Sequence, residues 1–369
     1  MRWSRAFVPL YAIIFCSMTY VFLAPRHEPE PEQRTIASKF RNTNKQVVIF
    51  AATKFFGMDI TTERFLSVCT STKGFCRITE NPADLNIADA VLFHNADYNA
   101  ALVPKPRKSN RPHVLWSLES PSNDRFRPGP NVINWTMTFR RDANIWYPYG
   151  HFRKLKSPVD VDYDEIWDMK NDSKTAVWLA SNCFAKNSRT AVVDMLMKQG
   201  LHIDRFGRCG SRPPGCDGVN RQGDPCVAEL VKPYKFYIAL ENSNCQDYVT
   251  EKFYEALISR MAVPIVLKKE IYVNVGAPKD SFIAISDFKT ISDAVKYVNE
   301  VADDKEKYLA YHKWRTSYEA IPEHNDDTGF CELCRRLQQT SLKPNSYEDV
   351  RDWHSRDQCD DSYAMRYLR

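Results

Sequence analysis

Between Glu241 and Lys252 the chain gathers Asn242, Tyr248, Glu251 and Lys252, side chains suited to holding a hydroxyl-rich, anionic ligand. A Lys at the second position of a helix is unusual, because the macrodipole there favours negative charge. Lys252 therefore marks a place where an anion sits, and phosphate is the anion that helix N-termini take. Arg189 follows Ser188, the expected N-cap of another helix, and offers a guanidinium fork able to clamp a diphosphate. Glu119 stands in the loop Leu118-Glu119-Ser120-Pro121, a carboxylate at a strand's end that can take a proton from a hydroxyl. Together these groups suit proton abstraction opposite a phosphate-bearing leaving group.

Such groups must be carried by rigid elements. Lys235 to Leu240 alternates and is aromatic-rich, as expected of a strand entering a sheet core. Thr250 is the expected cap of a helix from about Glu251 to Arg260, with Phe253, Ala256, Leu257 and Met261 on one face. Val263 to Leu267 supplies a second buried strand and closes a βαβ unit, whose ligands bind outside the carboxyl ends of the strands. Earlier strands are expected at 46–52, 90–94 and 112–117. The second half alternates strand 175–180, helix 188–198, strand 201–206 and helix 227–232, then adds strand 282–285 and helix 291–301. Alternation of this kind argues parallel sheets. The expected division is an α/β domain over 46–165, a second over 166–335 and a charged tail over 336–369 with no readable role.

The stretch Leu240-Glu241-Asn242-Ser243 followed by Asp247-Tyr248-Val249-Thr250-Glu251-Lys252-Phe253 resembles the α1,3-fucosyltransferases of glycosyltransferase family 10. Three more segments are similar to that family: His113 to Pro121, Asn134 to Asp142 leading to Tyr147-Pro148-Tyr149-Gly150, and Trp178-Leu179-Ala180-Ser181-Asn182 followed by Ser188-Arg189. Two departures are visible, Leu267-Lys268-Lys269 where the family places Gly, and Asp142-Ala143-Asn144 in place of its DSD. The resemblance implies a GT-B-like fold, two Rossmann-like domains facing across a cleft. It further implies inverting transfer of L-fucose from GDP-β-L-fucose to the 3-hydroxyl of GlcNAc on glycoproteins, with Glu119 as general base. Tyr149, Trp178, Ser181, Asn182, Arg189, Tyr237, Asn242, Tyr248, Glu251 and Lys252 would form the GDP-fucose site. With Arg189 and Lys252 neutralising the diphosphate no metal is obligatory, leaving Mn²⁺ or Mg²⁺ at most a stimulant. The acidic run Asp160-Val161-Asp162 has no strand before it and reads as solvated. A catalytically inactive, lectin-like protein on the same fold is the competing reading. The acceptor stays open among the N-glycan core, lactosamine and GalNAc-terminated antennae. The Cys-rich loop 209–216 resembles those of invertebrate members acting on the N-glycan core.

Arg2 and Arg5 precede an apolar run from Phe7 to Ala24, long enough to span a bilayer, with the positive flank on the cytoplasmic side. The expectation is a Golgi membrane enzyme, single-pass type II: tail 1–6, signal-anchor 7–24, polar stem 25–45 and a lumenal remainder. A cleaved signal peptide competes with this, and Pro25 is a poor residue to follow a cleavage point. Of 11 Cys, ten lie beyond Cys16 in the apolar run, an even number suited to disulfides. Cys69, Cys76, Cys331 and Cys334 are candidates, with Cys331-Glu332-Leu333-Cys334 expected to close locally rather than to form half a zinc site. The sequons at Asn134 and Asn171 are expected to carry glycans. A net charge of +5, with basic and acidic residues interspersed, excludes a nucleic-acid surface.

Overall fold

The computed structural model describes residues 46–105, 111–216, 223–339 and 347–368. The tail, anchor and stem expected over 1–45 lie outside them. Among the described residues no helix is long and apolar enough to cross a membrane.

Val47–Ala51 (β1) is an uninterrupted buried run, as a parallel strand covered on both faces requires. It pairs with Cys76–Thr79 (β2) and Ala90–His94 (β3), and the sheet continues through His113–Trp116 (β4), Trp135–Thr138 (β5) and Ile145–Trp146 (β6). All six strands are parallel, in the order β2-β1-β3-β4-β5-β6. The second sheet is also parallel. Phe236–Ile238 (β10) lies at its centre between Ala176–Leu179 (β8) and Val263–Val266 (β11), with Ile203–Phe206 (β9) and Ile283–Ala284 (β12) at the edges. Gly150–Lys154 (β7) leaves the first sheet and pairs antiparallel with Tyr318–Pro322 (β13) in a separate ribbon. Gly150 lies so close to the Tyr254 ring that a Cβ there would come within 2.5 Å of it, which sets the packing of this ribbon on the Glu251–Ile258 helix.

The segment around the expected boundary at 335 and 336 packs on the first sheet. After β13 the chain returns to the first sheet, where Phe330, Leu333 and Leu337 of the Gly329–Leu337 helix join the core beside Ile49, Leu92 and Trp116. The tail is likewise packed: Val350 enters the core on the other face of the first sheet, and Tyr363 and Ala364 enter that of the second.

The local Cys331–Cys334 bridge does not form. Cys331 pairs with Cys69 and Cys334 with Cys76, because positions three apart on a helix share one face and here that face meets the first sheet. Cys183–Cys209 and Cys216–Cys226 tie the Cys-rich loop, and Cys245–Cys359 makes five bridges among the described residues. The two sequons differ in exposure. Asn134 is 8% exposed and its amide oxygen accepts from the His113 N–H, so in the folded chain its side chain is largely covered. Asn171 is exposed in a turn, its amide oxygen accepting from Ser173.

Candidate active site

The loops after β4 and β10 meet. Asn123 Nδ2 reaches Ser243 Oγ at 3.3 Å, and the Ser120 and Ser243 hydroxyls bond directly. Glu119 lies at this junction. Its Oε1 accepts from Tyr248 OH at 2.7 Å, from its neighbour's Ser120 N–H at 2.9 Å, and at 3.4 Å from the amides of Asn242 and Asn123. Tyr149 supports the same loop by donating to Leu118 O at 2.7 Å. Burial, reinforced for Tyr149 by the nearby Glu251 and Glu119, holds both the Tyr149 and Tyr248 phenols well above their ordinary range, so both keep the proton they donate.

At the start of the Glu251–Ile258 helix a carboxylate that the sequence reading left out organises the site. Glu241, 5% exposed, accepts from the Thr250 N–H and hydroxyl, both at 2.7 Å. Thr250 therefore spends its hydroxyl on Glu241 and does not cap the helix by side chain as expected. Lys252 Nζ donates to Thr250 Oγ1 at 2.8 Å and to Glu251 Oε1 at 2.9 Å, and stands 3.3 Å from Glu241 Oε2. Burial works against the ammonium, but Glu241 and Glu251 overcome it and keep Lys252 charged. Burial, partly offset by Lys252, raises Glu241 above the usual carboxylate range. The signal was available: a Glu ending a buried strand needs partners, and Thr250 and Lys252 are the nearest candidates.

Arg189 is 3% exposed and donates to Leu240 O and to Asn182 O, both at 2.9 Å. It thus ties the loops after β8 and β10, and burial lowers its pKa. Ser188 is left-handed (φ 58°) and makes no side-chain cap, contrary to expectation. Ser181 and Asn182 are exposed in the loop that Arg189 holds. Trp178 and Tyr237 are corrected: both lie inside the core, 1% and 0% exposed, since strand residues of a sheet covered on both faces face core on either side. Arg205 stacks on Trp178 and Arg260 on Tyr237, so neither ring lines an open site. Glu323, just after β13, was also missed; its N–H donates to Tyr149 O, and burial together with nearby Glu251 pushes its carboxyl up to about 7.

Lys268, where the family carries Gly, is extended (φ −118°) and precedes the Lys269–Asn274 helix, so no left-handed residue is needed there. Arg140 pairs with Asp142, and Arg141 accepts a role across the junction: its N–H donates to Asp247 and its guanidinium to Val275 O. Asp162 caps the Tyr163–Asp168 helix. Among the described residues no group of three or more His, Cys, Asp or Glu side chains is placed to hold a metal ion.

Two parallel sheets thus converge, at the carboxyl ends of their strands where such sheets bind ligands, on a carboxylate, a charged Lys at a helix N-terminus and a buried Arg, the groups a transferase of the nucleotide-sugar type would use. The model for "Fucosyltransferase, N-terminal" matches residues 44–150, and "Glycosyltransferase family 10 (fucosyltransferase) C-term" matches 169–353. The chain belongs to glycosyltransferase family 10, the fucosyltransferases. It is 48% identical over 332 residues to alpha-(1,3)-fucosyltransferase fut-6 of Caenorhabditis elegans, covering 88% of this chain and 84% of the relative. It is 37% identical over 330 residues to fut-5 of the same organism, covering 88% and 86%. A crystal structure of an alpha1,3-fucosyltransferase with GDP-fucose superposes with a TM-score of 0.52 at 16% identity, covering 82% of this chain and 94% of that one, which supports the fold.

Proposed function

We propose that the protein is an inverting α1,3-fucosyltransferase that moves L-fucose from GDP-β-L-fucose to the 3-hydroxyl of a GlcNAc on a glycoprotein glycan. The observation that carries this reading is the convergence of Glu119, from the loop after β4, with Asn242 and Tyr248, from the loop after β10. One sheet thereby supplies a base and the other a donor site, as a single displacement demands. Glu119 takes the proton of the attacking hydroxyl while the glycosidic bond to GDP breaks, and the anomeric centre inverts through an oxocarbenium-like state. Lys252 and Arg189 meet the charge that grows on the departing diphosphate, at the helix N-terminus and loop they already organise. Glu251 and Asn242 offer hydrogen bonds to fucose or ribose hydroxyls. With two cations at the diphosphate, no metal is obligatory in this scheme.

The same reading includes a Golgi location and a type II anchor over 7–24, supported by the apolar run behind Arg2 and Arg5. The lectin-like alternative is disfavoured because base and phosphate-binding cations are all present. Glu119→Gln should keep GDP binding and lower turnover by about two to four orders of magnitude, the usual worth of general base catalysis. Near-normal turnover would remove Glu119 from the mechanism. Mass spectrometry of the products from N-glycan core, lactosamine and GalNAc-terminated acceptors identifies the acceptor.

A further inference from the structure

The segment Gln358 to Asp361 lies beyond residue 353, where the family match ends, yet it is built onto the donor loop. The Asp360 N–H donates to Asn244 O at 2.9 Å and the Gln246 N–H to Gln358 O at 2.7 Å, an antiparallel bridge locked by the Cys245–Cys359 disulfide. The Asp361 carboxylate then spans two loops. One oxygen accepts from the Asn244 N–H at 2.9 Å, and the other accepts from the Ser122 hydroxyl of the Glu119 loop. Lys186 reaches the same point, donating to Ser122 O at 2.7 Å.

The position of this clamp along the chain gives it meaning. Asn242 and Tyr248 both donate to Glu119, and they bracket the stretch that the tail grips. Within that stretch Asp247 holds a left-handed conformation (φ 60°), which a non-glycine residue keeps only when its surroundings enforce it. The clamp therefore fixes the carboxylate from both sides, through Ser122 in its own loop and through the loop that supplies its hydrogen-bond donors.

We propose that Asp361, backed by the Cys245–Cys359 bridge, is a positioning residue that holds Glu119 in register with the donor site. The proposal rests on Glu119 being the base, and a double-mutant cycle separates the two ideas. Asp361→Ala should lower kcat about ten- to hundred-fold, the cost of a displacement of about 1 Å at a reacting group. It should leave GDP affinity within about two-fold, because the Glu241–Lys252 cluster is held independently. Asp361→Asn should restore most of the rate, since its amide can accept from Asn244 and donate to Ser122. In the Glu119→Gln background, Asp361→Ala should cost less than about three-fold, because residues acting through one group are not additive. Equal losses in both backgrounds, or an unchanged kcat for Asp361→Ala, would overturn the clamp. If Glu119→Gln alone turns over normally, the base assignment fails instead. Should Asp361→Ala not fold, Ser122→Ala removes one arm of the clamp and is held to the same cycle.

Discussion

Removing the Lys252 ammonium tests the donor site and the fold together. Lys252→Ala strands Glu241, whose side chain is 4% exposed, while Glu251, at 34%, keeps contact with solvent. Deleting one partner of a buried pair costs about 3–5 kcal/mol, and with only one of the two carboxylates deeply buried the lower end, about 3 kcal/mol, is expected. In a chain of this length that lowers Tm by about 4–5 °C. The loss has a defined pH dependence. Without Lys252, the Glu241 pKa in the folded state rises further above its unfolded value, so the folded variant binds a proton that the unfolded chain does not. The deficit is then largest above that raised pKa and shrinks as pH falls, so melts at pH 8 should show a larger Tm gap to wild type than melts at pH 5.5. GDP binding should weaken about ten- to hundred-fold, the equivalent of one charged hydrogen bond of about 1.5–3 kcal/mol. Calorimetric titration of GDP into the folded variant reads this directly. A pH-independent Tm gap together with unchanged GDP affinity would refute the placement of the diphosphate at this helix.

Arg189→Lys should destabilise and weaken GDP binding at once, because a single ammonium cannot span Leu240 O and Asn182 O as the fork does; melting and titration of one sample check both. Glu323→Gln should raise Tm at pH 8 and change it little at pH 5: a carboxyl whose folded pKa is raised to about 7 destabilises the fold only where it must ionise. EDTA should leave substantial activity, and complete loss with rescue by Mn²⁺ would require a metal site. Protein secreted from a eukaryotic host should carry glycan at Asn171 and none at Asn134, as peptide mass mapping before and after deglycosylation will read.

The parts legible from sequence were those with strong local patterning. The buried runs at β1, β3, β4, β8 and β11 stood out because parallel strands are apolar throughout, and β10 by its alternation and aromatic content. β6, with two residues, and β7 and β13, each with exposed positions, carry too little periodicity to be seen. The fate of residues 329–368 was illegible for another reason: amphipathic spacing says that the Gly329–Leu337 helix has a buried face, not which sheet buries it. At the site, the resemblance named loop residues at strand ends, and Glu119, Asn242 and Tyr248 among them come together in the structure. It overreached at Trp178 and Tyr237, which share those motifs but sit one step inside the sheet.

The two bridges from the Gly329–Leu337 helix back to the first sheet also dictate an order of events during synthesis. Cys69 and Cys76 are separated from their partners by 262 and 258 residues. At about 5–20 residues per second, they emerge roughly ten to fifty seconds before the thiols they must find. Through that interval the first sheet lacks its closing helix and presents two free thiols only a few residues apart. Any Cys69–Cys76 bridge formed in that interval would have to exchange before the native pairing could form once Cys331 and Cys334 arrive.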